Sequence, residues 1–137
     1  MGEKEEKSLN LIGIDWGEKR FGVALADSEV CLAMPFVVAS GLDEILKIIK
    51  EEEIDLIVLG EPQKMRGKTN DLNPLFKEFL RLLTAKTNLP IELIDERLSS
   101  KNADALVGGK KTKAPRDAVA AMIILQSYLD QKYGGNI

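Results

Sequence analysis

The 137-residue chain is 45% apolar and 30% charged, and it has no apolar run near the ~20 residues that a helix needs to cross a bilayer. It contains no histidine, so imidazole is excluded both as a general base and as a nitrogen ligand for zinc or copper. A bound metal would need oxygen ligands, which suit Mg²⁺ or Mn²⁺. The net charge of -3 argues against generic affinity for nucleic acid, because Lys and Arg supply most non-specific phosphate binding.

The length favours a single domain, which we place at residues 9–133. Residues 1–8 are polar and charged and are expected to form a disordered tail, and residues 134–137 a flexible one. The first residues lack the apolar core of a secretory signal, so we expect a cytoplasmic protein with no membrane partner.

Apolar runs and helical spacings predict eight main elements and a further short helix. Short apolar runs predict strands, and an apolar stripe with helical period predicts each helix. In chain order they are strands over Leu9–Asp15, Arg20–Ala26 and Val30–Ala39, a helix over Leu42–Glu53, a strand over Asp55–Gly60, a helix opened by Asn73 and Pro74, a strand over Ile91–Glu96, a short helix over Ser100–Val107 and a helix from Pro115 to about Tyr133.

This order predicts an α/β fold with a five-stranded mixed sheet: three antiparallel strands, then parallel strands, with helices on the faces. The strand order reverses beside the first strand. Ligands of such sheets bind at the carboxyl ends of the strands next to that point, and those ends carry Asp15, Glu61, Asp95 and Glu96.

Three acids lie at the edges of apolar elements: Asp15, Glu96 and Asp117. Each has a plain structural interpretation, since Asp15 could open a turn, Asp117 could favour a helix N-terminus, and Glu96 could pair with Arg97. Clustered carboxylates are costly unless cations intervene. A pair of divalent ions would resolve that cost and could hydrolyse a phosphodiester without histidine.

Four segments resemble the YqgF family, which is described both as pre-16S ribosomal RNA nucleases and as Holliday junction resolvases. They are GIDWGEKRFGVALAD from Gly13, GEPQKMRG from Gly60, DERLS from Asp95 and DAVAAMIILQSYLD from Asp117. Together they span nearly the whole chain after residue 8, in the family's order.

The resemblance implies a ribonuclease H-like fold, a divalent metal, and structured RNA or branched DNA as substrate. Asp15, Glu96 and Asp117 match the family's three acids, and we expect them to be catalytic and to hold metal. The expected phosphate contacts are basic residues, several of them in segments that could equally be solvated loops: Lys19, Arg20, Lys64, Arg66, Arg97, Lys111 and Lys113.

Glu61 departs from the family, which usually has leucine between the Gly and Pro of this segment. In related resolvases a glutamate near that strand end is a metal ligand. Glu61 therefore either supplements Glu96 or faces solvent.

Several functional alternatives stay open. The hairpin with Asp15, Gly17 and Asp27 also suits an actin-like or kinase-like ATP-binding protein, although those close two such domains around the nucleotide. The fold is also reused for non-catalytic nucleic-acid binding. Between the nuclease substrates we favour the 5' end of pre-16S ribosomal RNA over a Holliday junction, and the chain could act as a monomer or a homodimer.

Overall fold

A five-stranded sheet forms the centre of the fold. The computed structural model describes residues 8–61, 74–95 and 115–133. Its elements in chain order are β1 (Asn10–Asp15), β2 (Phe21–Asp27), β3 (Met34–Ala39), α1 (Leu42–Glu51), β4 (Leu56–Glu61), α2 (Pro74–Thr87), β5 (Ile91–Asp95) and α3 (Arg116–Tyr133).

The strands lie in the order β3-β2-β1-β4-β5. β2 is antiparallel to both β1 and β3, whereas β4 pairs parallel with β1 and β5 parallel with β4. The predicted mixed sheet is confirmed, and its order reverses beside β1. The carboxyl ends of β1, β4 and β5 therefore meet at one edge of the sheet, where sequence alone predicts a site.

Each face of the sheet has its own apolar core, because strand side chains alternate between faces. The α1 and α2 face buries Ile12, Ile14, Ile57 and Leu59 together with Phe76 and Phe79 of α2. The α3 face buries Leu11 and Val58 against Ile124, Leu125 and Leu129. β1 is thus buried on both faces, which explains its nearly continuous apolar sequence.

The predicted start of β3 at Val30 is wrong, because the strand begins at Met34. Asp27 makes a tight turn after β2: its Oδ1 accepts hydrogen bonds of 2.9 Å from the backbone N–H groups of both Glu29 and Val30. Cys31 then takes the left-handed conformation, with φ of 59°. The apolar residues in this segment belong to a turn held by an aspartate side chain rather than to a strand.

Some predictions fall on residues that the structure does not describe. These are the tails at 1–7 and 134–137, the Asn73 cap, the end of the fifth strand at Glu96 and the short helix over Ser100–Val107. Among the helices that are described, none is both long and apolar enough to cross a membrane.

Candidate active site

Asp15 is the last residue of β1 and lies between two glycines. Its cross-strand partners are Gly22 of β2 and Gly60 of β4. Directly opposed side chains on neighbouring strands normally lie about 4.5–5.5 Å apart and pack against each other. Here neither neighbour has a side chain, so the half-buried Asp15 is not enclosed by its own sheet.

Gly22 also allows the first turn of α3 to reach this point. A Cβ atom on Gly22 would overlap the carbonyl oxygen of Asp117 and lie 3.1 Å from the backbone nitrogen of Ala118. The helix backbone therefore rests directly on the backbone of β2. Since Gly22 is the register partner of Asp15, this contact brings Asp117 beside Asp15.

The rest of α3 lies close to the sheet for the same reason. A Cβ atom on Gly13 would come within 2.6 Å of the Leu125 Cβ, and one on Gly60 within 2.5 Å of the Ile124 Cδ1. Glycines on three adjacent strands, β2, β1 and β4, thus leave space for one helix. Their absent side chains set the distance between α3 and the end of β1.

Asp15 and Asp117 line one polar cleft of about 290 Å³ at the carboxyl end of β1. The other lining residues are Trp16, Gly17, Glu18, Lys19 and Arg20. The cleft thus combines three carboxylates with two cationic side chains. Such a set can hold a cation with its acids while the basic groups meet the anionic backbone of a nucleic acid.

An ion pair between Arg20 and Asp117 spans the cleft. The Arg20 Nε lies 3.5 Å from the Asp117 Oδ2, and the Arg20 side chain is 71% exposed. An ion pair with so much solvent around it contributes little to stability, with a typical value of about 0–1 kcal/mol. Little free energy is therefore lost if Arg20 breaks this ion pair and binds a phosphate instead.

The structure brings together four of the predicted site residues: Asp15, Asp117, Lys19 and Arg20. Glu61 is half-buried at the end of β4 and does not line this cleft. Side chains alternate between the two faces along a strand, so Glu61 belongs to the same face as Ile57 and Leu59, the α1 and α2 face. By the same alternation along β1, Asp15 belongs to the α3 face. The remaining predicted residues lie outside the described ones: Glu96, Arg97, Lys64, Arg66, Lys111 and Lys113.

Besides Gly17, which has no side chain, sequence reasoning missed two residues that line the cleft, Trp16 and Glu18. The signal available for both was their position in the turn directly after Asp15. Gly22 was also missed as a positioning residue, because only the packing of α3 shows what a side chain there would touch.

The donor set fits a hard cation but is not complete in the described ranges. Residues 8–61, 74–95 and 115–133 contain no group of three or more acidic or cysteine side chains placed to hold a metal ion. Asp15 and Asp117, with Glu18 beside them, offer carboxylate oxygens in one cleft, which is the donor type that Mg²⁺ and Mn²⁺ prefer.

This mixed sheet, with helices on both faces and β1 at its centre, is a ribonuclease H-like fold. Among solved structures it is similar to Thermus thermophilus RuvC bound to a Holliday junction substrate, with a TM-score of 0.62 at 15% identity over 92% of this chain and 97% of that one. Another Thermus thermophilus RuvC structure gives a TM-score of 0.56 at 12% identity. The predicted fold is confirmed.

The chain belongs to the RuvX family, described as Holliday junction resolvase, whose model matches residues 9–131. A protein of Methylobacillus flagellatus, provisionally named pre-16S rRNA nuclease, is 38% identical over 131 residues, covering 88% of this chain and 90% of that protein. A Geobacillus protein with the same name is 36% identical, covering 90% and 99%.

These matches confirm the resemblance to the YqgF family. Both family descriptions are of nucleases, which are hydrolases acting on phosphodiester bonds, so the prediction of that enzyme class is confirmed.

Proposed function

We propose that this protein is a divalent-metal-dependent nuclease whose active site is the cleft between the end of β1 and the start of α3. The observation that carries the proposal is the meeting of Asp15 and Asp117 in that cleft from opposite ends of the chain. Two carboxylates would repel a phosphodiester unless a cation lay between them and the substrate. The pair is therefore best explained as a cation site.

We propose that this cation is Mg²⁺ or Mn²⁺, that Asp15 and Asp117 hold it, and that the site binds two such ions. A third acid completes the proposed set: Glu96, which lies outside the described residues, matches the family's acidic position. Glu61 is a weaker candidate for a metal ligand, because the alternation of side chains along β4 places it on the α1 and α2 face, opposite to Asp15. Divalent ions in such a site activate water and stabilise the leaving oxygen of the phosphodiester.

The chain's own residues would do the binding and positioning. Lys19 and Arg20 are exposed beside the acids and would contact phosphates of the substrate backbone, fixing its register over Asp15. The backbone contact between β2 and α3 would keep Asp117 in place during the reaction. In a chain without histidine, proton transfer would involve water and carboxylates.

The proposed substrate is the 5' end of pre-16S ribosomal RNA, supported by the names of relatives that match nearly their whole length. The test is cleavage of an end-labelled precursor fragment with Mg²⁺, with Mn²⁺ and with a chelator. We expect metal-dependent cleavage by the wild type and its loss in Asp15→Asn.

Asp43→Asn is the matched control, because it makes the same chemical change at an exposed site on α1. It should cleave as the wild type does. Equal cleavage by Asp15→Asn and the wild type would overturn the proposed site.

Cleavage of Holliday junctions is the second candidate, favoured by the family description. A resolvase needs two active sites about a two-fold axis. Four exposed apolar side chains cluster on and just before the edge strand β3, where a second copy could pack: Val30, Leu32, Met34 and Phe36. Cleavage of a four-way junction by a dimer, with no cleavage of precursor RNA, would favour this candidate over RNA processing.

A further inference from the structure

An apolar groove lies at the end of the sheet opposite the cleft that holds Asp15 and Asp117. Asn10 and Leu11, at the start of β1, line this groove, whereas Asp15 ends the same strand. At a rise of about 3.3 Å per residue, β1 separates Asn10 from Asp15 by about 16 Å. A partner bound in the groove would therefore leave the cleft open to substrate.

The groove has a volume of about 390 Å³ and a mostly apolar lining. Ile54 is buried in the core of the α1 and α2 face, and Leu25 packs against that core. Four further lining residues are exposed apolar side chains of the turn after β2 and of the edge strand β3: Val30, Leu32, Met34 and Phe36. Exposed apolar patches of this kind mark binding surfaces on soluble proteins. Side chains this exposed do not enclose a small molecule, so they suit a segment of a larger partner.

The charged side chains that line the groove are both acidic, Asp27 and Glu52. No lysine or arginine is among the described residues that line it, and within the described ranges neither acid forms an ion pair. Glu52 is the C-cap of α1, at the negative end of the helix dipole, where an acid is unfavourable. Glu51 and Glu53 flank it in the sequence, so the α1 side of the groove is acidic.

Three other occupants do not match this chemistry. The anionic backbone of a nucleic acid would be repelled by the carboxylates. A second copy packed here about a two-fold axis would set the patch against itself, and therefore acids against acids. The first eight residues of the chain, MGEKEEKS, offer Met1 as their one large apolar side chain and carry more acids than bases.

We propose that the groove binds a basic and apolar peptide segment of another protein. The apolar side chains of that segment would pack on Leu32, Met34 and Phe36, and its lysine or arginine side chains would meet Glu52 and Asp27. The two kinds of contact together select this partner, because an acidic or a wholly polar segment would lack one of them. The proposal is independent of the nuclease site at the other end of β1.

The test uses two short synthetic peptides that differ only in charge. One alternates lysine with leucine and the other alternates glutamate with leucine, and each carries a fluorophore for anisotropy titrations with the whole chain. We expect the lysine peptide to bind and the glutamate peptide to bind at least about 10-fold more weakly, because its acids would lie against Asp27 and Glu52.

Two pairs of variants locate the binding surface. Glu52→Lys should weaken the lysine peptide about 5- to 30-fold, since an attraction becomes a repulsion of similar size. Asp43→Lys, the same change in the first turn of α1, should alter binding less than about 2-fold because of screening over that distance. Leu32→Ser removes a side chain that is 56% exposed and should weaken binding about 10-fold. Leu75→Ser is its control, because Leu75 is also 56% exposed but does not line the groove.

All four substituted sites are exposed, so the variants should fold, and their urea midpoints verify this. Equal affinity for the two peptides would overturn the proposal, as would losses in the control variants as large as those in the groove variants. A wild-type dimer in sedimentation that Leu32→Ser converts to a monomer would assign the groove to a second copy instead. Labelled RNA that bound the wild type but not Leu32→Ser would assign it to nucleic acid, and either result would overturn the peptide site.

Discussion

Replacing Gly22 with alanine tests how the site is assembled. The new Cβ atom would overlap the carbonyl oxygen of Asp117 and approach the backbone nitrogen of Ala118 to 3.1 Å. Both are backbone atoms of the helix, so no flexible side chain can move aside. Overpacking typically costs about 1–3 kcal/mol, and we expect the upper end here because the first turn of α3 must shift.

The same shift should also lower the rate of cleavage, because it displaces Asp117. A displacement on the order of 1 Å at a catalytic group can cost ~100-fold in rate, and we expect a loss of that size. The assays are urea unfolding for the free energy and single-turnover cleavage of the precursor RNA for the rate. Gly41→Ala is the control, because no heavy atom lies within 4 Å of its new Cβ and its φ of -174° is ordinary extended backbone.

Gly41 is the N-cap of α1, where alanine is less favourable than glycine, so the control should cost up to about 1 kcal/mol and cleave normally. If Gly22→Ala matched the wild type in both assays, the close contact between β2 and α3 would not position Asp117.

Three further substitutions test the packing and electrostatics around the site. Phe76→Ala should lower the free energy of unfolding by about 3–5 kcal/mol and shift the Trp16 fluorescence to the red, and an unshifted spectrum would contradict the ring contact. Gln126→Ala removes hydrogen bonds to the turn before β3 and should cost about 1–3 kcal/mol with faster amide exchange there, whereas unchanged exchange would argue against that bracing role. Hydrogen bonds from the backbone N–H and the hydroxyl of Ser40 lower the pKa of Glu44 from its ordinary value. This carboxylate therefore stabilises the fold above its unfolded pKa, and the stabilisation is lost as the pH falls through the lower folded pKa. Glu44→Gln should thus be less stable than the wild type at neutral pH and equally stable in acid. A difference between their urea midpoints of unfolding that does not change with pH would refute this.

The sheet and its order could be predicted because the apolar pattern of each strand indicates which of its faces are buried. β1 and β4 are buried on both faces and read as continuous apolar runs. α1 shows a clear apolar stripe, with Ile45, Ile48 and Ile49 buried. β4, α2 and β5 follow one another as strand, helix and strand, and this order predicts a parallel pair of strands joined by a crossover helix.

The start of β3 could not be predicted from the same apolar pattern. Val30 and Leu32 are exposed, at 64% and 56%, and belong to the segment that follows the Asp27 turn. What decides their conformation is a pair of hydrogen bonds to an aspartate side chain, which apolar periodicity does not report.

The candidate site was predictable in its residue types but not in its assembly. Asp15 and Asp117 were identifiable as acids at the edges of apolar elements. The two acids meet because Gly22 has no side chain to keep α3 away from β2. The register between β1 and β4 decides that Glu61 lies on the other face of the sheet from Asp15. Both are properties of tertiary packing.

The most direct test of the central claim is a comparison of Asp15→Asn, Asp117→Asn and the double variant in single-turnover cleavage of the precursor RNA with Mg²⁺. Residues that act as one unit give non-additive losses. We predict that either single variant removes nearly all metal-dependent cleavage and that the double variant is no worse. Two small losses that simply multiply in the double variant, or metal-dependent cleavage that survives in all three variants, would contradict an active site built on these two carboxylates.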